Sequence, residues 1–522
     1  MLGLPEPFRR GNRTDAGFGL EKAPRRAYLE YMTVHFPFQN TYAELPANFF
    51  ARVQPTPVSA PRLIKLNRPL AIQLGLDPDL LESPDGAEIL SGKTLPAGAD
   101  PIAMAYAGHQ FGQFVPQLGD GRAILLGEVI DRDGVRRDIQ LKGSGPTPFS
   151  RRGDGRAALG PVLREYIVSE AMFALGIPTT RSLAATITGE SVMREAILPG
   201  AVLTRVAASH IRVGTFQYFA ARGDVDAVRR LADHVIGRHY PDLAATERPY
   251  HALLEAVIGR QADLVARWLR IGFIHGVMNT DNTSISGETI DYGPCAFMDH
   301  YDPAQVFSSI DEMGRYAYAN QPRIALWNLT RLAECLLPLF SDDQDKAIEQ
   351  AQDILGVFVE KFTTAYQAGL RRKVGLFTSR DGDEALVQDL LDAMAKEKAD
   401  FTLTFRRLSE AASDPAADAA VRTLFAEPSA YDEWATRWRQ RASDEPQTPA
   451  ERRAMMRAVN PAFIPRNHRV EAVIQAAMAD NYAPFEELIA VLAKPYEDQP
   501  EFSAYADPPE PDQRVLQTFC GT

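Results

Sequence analysis

The residues best suited to chemistry lie in two short segments, His275-Gly-Val-Met-Asn-Thr-Asp-Asn282 and Asp291-Tyr-Gly293. The amide oxygen of Asn282 and the carboxylate of Asp291 are ligands that hard divalent cations prefer, and an ion held there could bind the phosphates of a nucleotide. The octet between them, residues 283–290, is rich in β-formers and contains the turn signal Ser286-Gly287. It therefore predicts a tight hairpin that brings Asp291 back beside Asn282.

Protein kinases have the same order of residues, since their catalytic loop reads H-R-D-x-x-x-x-N and precedes a D-F-G segment. His275 and Asn282 take the His and Asn positions, and Asp291 begins the D-F-G equivalent. The position of the kinase catalytic Asp is Val277, which cannot accept a proton from a hydroxyl. The site is therefore inactive, takes its base from elsewhere or performs different chemistry, and Asp281 is the carboxylate that could substitute. Short motifs also match by chance, so a polar turn followed by a strand exit is the alternative.

A lysine and a glutamate that could face this site lie upstream. Two strands joined by an Asp-Gly turn are predicted over 122–130 and 136–142, so that Lys142 ends the second strand. A helix that begins at Pro161 would carry Glu165 near its start. In kinases a strand lysine paired with a helix glutamate is held over the phosphates. The alternative is a surface lysine and a solvated glutamate that the helix dipole favours.

Glycines and arginines around Lys142 suit phosphate binding. The polar loop over 143–155 contains four glycines and the pair Arg151-Arg152, and Arg156 follows it. Free backbone N–H groups and guanidinium groups bind phosphate oxygens, although a mobile surface loop would have the same composition. Arg205 and Arg212 are either phosphate ligands or ordinary surface arginines, and the sequence by itself favours the second interpretation.

Composition excludes several classes of protein. A chain of 522 residues predicts roughly two to four units, and its net charge of −12 argues against nonspecific nucleic-acid binding. Cys295, Cys335 and Cys520 are far apart, which excludes a disulfide scaffold and predicts a reducing compartment. No apolar run approaches the roughly 18 residues of a membrane span, and residues 1–26 lack the apolar core of a signal peptide. We therefore expect a cytoplasmic protein.

The remaining pattern divides the chain by element type. Residues 179–207 are β-rich, and the chain becomes helical from about residue 224. A long apolar-periodic helix is predicted over 252–271, where Gly272 would end it just before His275. Residues 413–450 are acidic, rich in alanine and interrupted by proline, which predicts a variable surface insertion.

With these pieces in order, the chain resembles the selenoprotein O family, which includes the bacterial YdiU proteins. The segments that carry the resemblance are spread over most of the chain, and together they are far more specific than the kinase loop alone. They are Tyr106-Ala-Gly-His-Gln-Phe-Gly112, Gln117-Leu-Gly-Asp-Gly-Arg122, Leu141-Lys-Gly-Ser-Gly145, Asn279-Thr-Asp-Asn282, Asp291-Tyr-Gly-Pro294, Asn320-Gln-Pro322 and Asn460-Pro461.

The resemblance implies an α+β, two-lobed protein-kinase-like fold. The expected parts are an N-terminal extension packing on the lobes (1–105), a β-rich N-lobe (106–223), a helical C-lobe (224–412) and a C-terminal extension with the acidic insertion and a Cys tail (413–522). It also implies that ATP binds in an inverted pose and that AMP, not the γ-phosphate, is transferred to Ser, Thr or Tyr hydroxyls of proteins. The metal would be Mg²⁺ or Mn²⁺, and some members are described as using UTP.

The same resemblance assigns roles to residues. Glu165 would pair with Lys142, Asn282 and Asp291 would hold the metal, and Asp281 would be the catalytic base. The nucleotide contacts would be Gly119, Gly121, Arg122, Lys142, Asp154, Gly155, Arg205, Arg212 and Asp291.

One position departs from the family pattern. Some relatives carry selenocysteine or Cys near the C-terminus, and a Cys after the D-Y-G segment can pair with it. Cys520 matches the tail position, but Phe307 occupies the usual partner position, and Cys295 lies in the same loop. A Cys295–Cys520 redox switch is therefore a hypothesis with a changed partner.

Three functions stay open at this point. The first is AMP transfer, or UMP transfer from UTP. The second is γ-phosphate transfer with Asp281 as the base, and the third is a non-catalytic scaffold that binds nucleotide.

Overall fold

The structure is a computed structural model that describes residues 34–519. Its strands are β1 (Phe50–Arg52), β2 (Arg62–Leu66), β3 (Ile102–Met104), β4 (Gly108–Gln110), β5 (Gln113–Val115), β6 (Ala123–Ile130), β7 (Arg136–Lys142), β8 (Ala157–Ala158), β9 (Arg181–Met193), β10 (Ile197–Ala207), β11 (Phe273–Ile274) and β12 (Ala296–Phe297).

Most of the chain after β10 is helical. The α-helices are α1 (Arg68–Gln73), α2 (Pro78–Leu81), α3 (Pro84–Ser91), α4 (Leu159–Ala174), α5 (Val213–Ala220), α6 (Val225–His239), α7 (Pro249–Arg270), α8 (Gln321–Phe340), α9 (Gln344–Lys373), α10 (Asp383–Glu397), α11 (Phe401–Ala411), α12 (Asp418–Arg422), α13 (Pro428–Ala442), α14 (Pro449–Arg457), α15 (Asn467–Met478) and α16 (Ala483–Leu492). An antiparallel sheet and separate helices confirm the α+β class.

The central sheet runs in the order β1-β3-β6-β7-β10-β9-β2, with β8 paired to β10. The predicted strand pair over 122–142 is confirmed as β6 and β7, which the Asp131–Val135 turn joins. In this register Lys142 pairs with Leu203, and Gln140 pairs with Arg205. Because side chains alternate along a strand, Lys142 and Arg205 come to the same face of the sheet.

The N-terminal extension belongs to this sheet. Strands β1, β2 and β3 all lie before residue 106, and each pairs with another strand of the sheet. The described part of the extension, residues 34–105, therefore builds the sheet instead of only packing on the lobes.

Helix α4 lies against the sheet and is covered by the C-terminal helices. It begins two residues before Pro161 and ends just before Gly176, whose φ is 76°. Its Tyr166 ring packs against Phe485 of α16, with ring centroids 5.6 Å apart. Arg164 of α4 forms an ion pair with Glu471 of α15. The C-terminal extension thus fixes the helix that carries Glu165.

The long helix predicted before His275 is confirmed as α7. Gly272, with a φ of 73°, follows its end, and the short strand β11 leads into His275. Buried His275 then places its Nε2 atom 2.9 Å from the carbonyl oxygen of Ile290, directly before Asp291. The segment from His275 to Asn282 is therefore tied to both α7 and the segment that carries Asp291.

The hairpin predicted over 283–290 is wrong. The turn at Ser284–Gly287 forms, but the flanking residues pair with other segments and not with each other. Ser284 bridges to Arg212, and Thr289 bridges to Thr179. Pairing with Arg212, after β10, and with Thr179, before β9, replaces the local hairpin. These residues satisfy backbone hydrogen bonds of the segment and bury the turn.

The surface insertion predicted over 413–450 is also wrong in its central part. Trp434 and Trp438 of α13 are each 1% exposed and stack with ring centroids 5.4 Å apart. Their indole N–H groups donate to the carbonyl oxygens of Leu386 and Val374. The acidic and alanine-rich composition of 413–450 does not indicate this apolar face. Two buried tryptophans are enough to anchor the helix in the core.

Within residues 34–519, none of the helices combines the length and the apolar character that crossing a bilayer would need.

Trp438→Ala should lower the free energy of unfolding by about 3–5 kcal/mol, because it removes a large buried side chain and leaves a cavity. Thermal unfolding followed by circular dichroism measures the loss. The control is Val359→Ala on the exposed face of α9, which should change stability by less than about 0.5 kcal/mol. Equal stability of the two variants would show that the packing of α13 does not contribute to the stability of the folded protein.

Candidate active site

A cavity of about 630 Å³ lies between the sheet, the loop before β8, α4 and the segment that runs from Val277 to Gly293. The residues predicted to bind nucleotide or metal, to pair with Lys142 or to act as the base converge on it, except Arg205, which does not line the cavity. Those that line it are Gly119, Gly121, Arg122, Lys142, Asp154, Gly155, Glu165, Arg212, Asp281, Asn282 and Asp291.

Asp291 is the centre of a dense charge cluster. Its carboxylate lies 2.6 Å from Arg205 Nη1, 3.1 Å from Arg212 Nη1 and 3.4 Å from Lys142 Nζ. Burial opposes the charge on Asp291, but the three cations outweigh it and hold the pKa of this carboxyl well below its usual range. Asp291 also has a φ of 62°, a conformation that is costly for a residue with a side chain and that often marks functional sites.

Glu165 completes this cluster from α4. Its carboxylate forms an ion pair with Lys142 and accepts a hydrogen bond from Arg205 Nη1 at 3.1 Å. Arg205 is fixed further by Gln140, whose side-chain oxygen accepts from Nη2 at 2.6 Å. Lys142 is therefore held between two carboxylates at the edge of the cavity.

Arg205 and Arg212 are not surface residues, and the interpretation that the sequence favoured is wrong. Their side chains are 2% and 4% exposed. Arg212 stacks over the Tyr106 ring at 4.5 Å, and its Nη1 donates to the backbone oxygen of Asp281 at 2.9 Å. Buried guanidinium groups need such partners, and here the partners are the site residues themselves.

Asp281 lies in a short 3₁₀ turn, Thr280–Asn282, which also lines the cavity. Its Oδ2 accepts a hydrogen bond from Gln110 Nε2 at 3.1 Å. Its Oδ1 is buried and has no hydrogen-bond partner among residues 34–519. Burial raises the pKa of this carboxyl to about 6, although Gln110 and Arg212 act in the other direction. A carboxyl whose pKa is raised toward neutrality is suited to accept a proton.

Asn282 and Asp291 fit a hard divalent cation. The side-chain nitrogen of Asn282 donates to the Val277 carbonyl oxygen at 2.8 Å, which leaves the amide oxygen as its available ligand atom. One amide oxygen and one carboxylate suit Mg²⁺ or Mn²⁺ when phosphates and water supply the other ligands. Within the part of the chain that the structure describes, no group of three His, Cys, Asp or Glu side chains offers an all-protein alternative.

Two glycines and an aspartate shape another part of the cavity wall. Gly119 and Gly155 have positive φ, and a side chain at either position would collide with Phe149 or with the backbone of Gly145. Asp154 pairs with Arg194 at 2.8 Å, which fixes the loop before β8. The backbone can therefore approach a ligand closely on this side.

Sequence reasoning missed three polar residues of the site. Gln110 contacts Asp281, and Gln140 contacts Arg205. Asp120, which is 2% exposed, accepts from Gln140 Nε2 at 3.2 Å and lies 3.9 Å from Arg212. Gln110 and Asp120 belong to the motif segments quoted above, so a search of those segments for polar side chains could have found them. Gln140 has no such signal.

The redox hypothesis is only partly within the described residues. Cys295 is 1% exposed, and burial raises the pKa of its thiol to about 12. Thr518 of the C-terminal tail donates to the Pro294 carbonyl oxygen at 2.6 Å, and its N–H donates to that of Phe307 at 2.7 Å. Cys520 lies outside the described residues, so its pairing with Cys295 stays a prediction.

Comparisons with known proteins agree with one another. A family model described as protein adenylyltransferase SelO matches residues 32–493. A protein nucleotidyltransferase YdiU of Bradyrhizobium diazoefficiens is 82% identical over 492 residues, which cover 94% of this chain and 100% of the relative. Proteins of the same name from Bradyrhizobium sp. strain ORS 278 and Rhodopseudomonas palustris strain BisB18 are 78% and 73% identical, with the same coverage.

Arg205→Met should lower the free energy of unfolding by about 3–5 kcal/mol, because Glu165 and Asp291 would each lose a buried ion-pair partner. Urea unfolding followed by tryptophan fluorescence measures this loss. The matched control is Arg194→Met, which breaks a partly exposed pair with Asp154 and should cost about 0–1 kcal/mol. A loss below 1 kcal/mol for Arg205→Met would show that the cluster does not depend on Arg205.

Proposed function

Since the chain belongs to the protein adenylyltransferase SelO family and is a nucleotidyltransferase, we propose that it transfers AMP from ATP to Ser, Thr or Tyr hydroxyls of proteins. The observation that carries the proposal is one shared cavity. Asp281 and the charge cluster around Asp291 line the same space. The family supports the choice of AMP as the group transferred, and the cavity supports the roles of the residues.

The cationic residues bind the phosphates. Lys142 and Arg212 line the cavity next to Asp291, and Arg122 lines it near the two glycines of the Gly119–Gly121 turn. Glu165 and Arg205 hold Lys142 and Asp291 in place, so they position the phosphate ligands without lying in the cavity centre. Preorganised cations of this kind stabilise the charge that develops as pyrophosphate leaves.

Asn282 and Asp291 would hold Mg²⁺ or Mn²⁺, and such an ion, when bound, neutralises phosphate charge and aligns the reacting groups. Because both side chains line the cavity beside Lys142, the phosphates would lie between the strand lysine and the 3₁₀ turn.

Asp281 acts as the base. The acceptor hydroxyl oxygen forms a bond to the α-phosphorus of ATP, the bond between the α-phosphorus and the bridging oxygen breaks, and pyrophosphate leaves. The hydroxyl proton passes to the carboxylate of Asp281. Val277, which occupies the position of the kinase base, takes no part.

We also propose that the fold is kinase-like in its arrangement. The supporting features are a strand lysine paired with a helix glutamate, and a long helix that enters the loop from His275 to Asn282. In this proposal residues 106–223, with the strands before them, form the N-lobe, residues 224–412 form the C-lobe, and residues 413–522 are the C-terminal extension.

A labelled-nucleotide experiment tests the transferred group. With a bacterial lysate as acceptor, ATP labelled on the α-phosphate should label protein, and ATP labelled on the γ-phosphate should not. Label from the γ-phosphate would instead indicate phosphorylation, and a stronger signal from α-labelled UTP would indicate UMP transfer. Nucleotide binding without any transfer would favour a scaffold.

Two variants in the same assay test the residue roles. Asp291→Ala should abolish transfer, because it removes both a metal ligand and the centre of the charge cluster. Asp281→Asn should lower the maximal rate by about 10²–10⁴-fold, the usual contribution of a general base, with little change in the KM for ATP. A wild-type rate in Asp281→Asn would remove this residue from the base role.

Removal of divalent metal should abolish transfer and leave the protein folded. Addition of Mg²⁺ or Mn²⁺ after chelation should restore the rate. Asn282→Ala should raise the metal concentration for half-maximal rate by about tenfold or more, since even indirect ligand partners contribute that much. An unchanged metal response in Asn282→Ala would exclude this amide as a ligand.

A further inference from the structure

A small hairpin docks against the turn that carries Asp281. Strands β4 and β5 pair only with each other, in a two-stranded sheet apart from the central one. The N–H of His109 donates to Thr280 Oγ1 at 2.7 Å, and the N–H of Phe111 donates to Asn279 Oδ1 at 3.1 Å. Gln110 lies between these two anchors, and its side chain reaches Asp281 Oδ2.

The hairpin is held in place without the side chain of Gln110. The side chain of Gln217 accepts from Thr280 Oγ1 at 2.6 Å, and its nitrogen lies 2.8 Å from His109 Nδ1. Tyr316 donates to Asn279 Oδ1 at 2.5 Å, and its hydroxyl accepts from the N–H of Phe111. Replacement of the Gln110 side chain should therefore leave both anchors intact.

The hairpin holds the Asp281 carboxylate at both of its oxygens. Oδ2 is occupied by the amide N–H, whereas Oδ1 has no partner in the part of the chain that the structure describes. Gly108 lies beside Oδ1, and a Cβ atom at this position would come within 2.6 Å of it. The hairpin backbone at Gly108 is therefore packed closely against the buried Oδ1 atom, while Gln110 holds Oδ2.

We propose that Gln110 is a positioning residue for AMP transfer, which fixes the rotation of the Asp281 carboxylate relative to the acceptor hydroxyl. This inference rests on the proposed role of Asp281 as the base. Gln110 lines the same cavity as Asp281 and Asn282. A carboxylate that is free to rotate would spend part of its time with neither oxygen aligned, and small misplacements of a reacting group are costly.

The test compares Gln110→Met, which keeps the length of the side chain and removes the donor, with Gln113→Met as the matched control. Gln113 pairs with Gln110 across the hairpin and is exposed. With α-labelled ATP and a fixed amount of lysate protein, Gln110→Met should lower the maximal rate by about 10–100-fold. The KM for ATP should stay within about twofold, and Gln113→Met should behave as wild type.

A double-mutant cycle distinguishes positioning from a general structural role. If Gln110 acts through Asp281, then Gln110→Met should have no further effect in an Asp281→Asn background. Equal losses in both backgrounds, an unchanged rate, or a change confined to the KM would overturn the inference. Gln110→Ala serves as the second variant if the thermal stability of Gln110→Met falls.

The outcomes also separate this inference from the proposed function. A slow Asp281→Asn enzyme with a normal Gln110→Met enzyme would overturn only the role of Gln110. A normal rate in Asp281→Asn would overturn the base role, and the role of Gln110 with it.

Discussion

The buried contact between Asp291 and its three cations is the interaction on which the rest of the site depends. The backbone of Asp291 is in the left-handed region, which is costly, and its carboxylate is buried. The ion pairs with Arg205, Arg212 and Lys142 offset these costs. The same cations are the groups that could bind phosphate. They therefore balance the charge of Asp291 in the folded protein and would also serve the proposed reaction. Glu165 prevents an excess of positive charge from accumulating at this point.

The surrounding strands and helices hold these charged groups in position. The pairing of β7 with β10 sets Lys142 and Arg205 on one face, and α4 brings Glu165 to them. The C-terminal helices α15 and α16 pack on α4 from outside, while residues 34–105 extend the sheet at its edges. The C-terminal helices therefore stabilise the position of Glu165 on α4, and the strands before residue 106 stabilise the sheet that carries Lys142.

The two sides of the cavity are built in different ways. The side around Lys142 is rich in fixed cations and glycine backbone. The turn of Asp281 is held mainly by neutral amides and hydroxyls from the β4–β5 hairpin, α5 and the loop at Tyr316, and Arg212 donates to its backbone oxygen and not to its carboxylate. Neutral donors orient a carboxylate without the strong suppression of basicity that a neighbouring cation causes. This asymmetry agrees with one side that binds a polyanion and another that handles a proton.

The sequence by itself determined the strand pair that ends in Lys142, the helix that carries Glu165, the helix before His275 and the candidates Asn282, Asp291 and Asp281. Those features depend on local periodicity and turn residues, which a single chain displays directly. The tertiary structure alone decided that Arg205 and Arg212 are buried, that residues 283–290 do not form a hairpin, that α13 is part of the core and that Gln110 reaches Asp281. Each of these depends on contacts between distant positions, such as Arg205 and Asp291, which are 86 positions apart, or Gln110 and Asp281, which are 171 positions apart. Local patterns carry no record of such partners, because burial is decided by what the folded chain brings alongside.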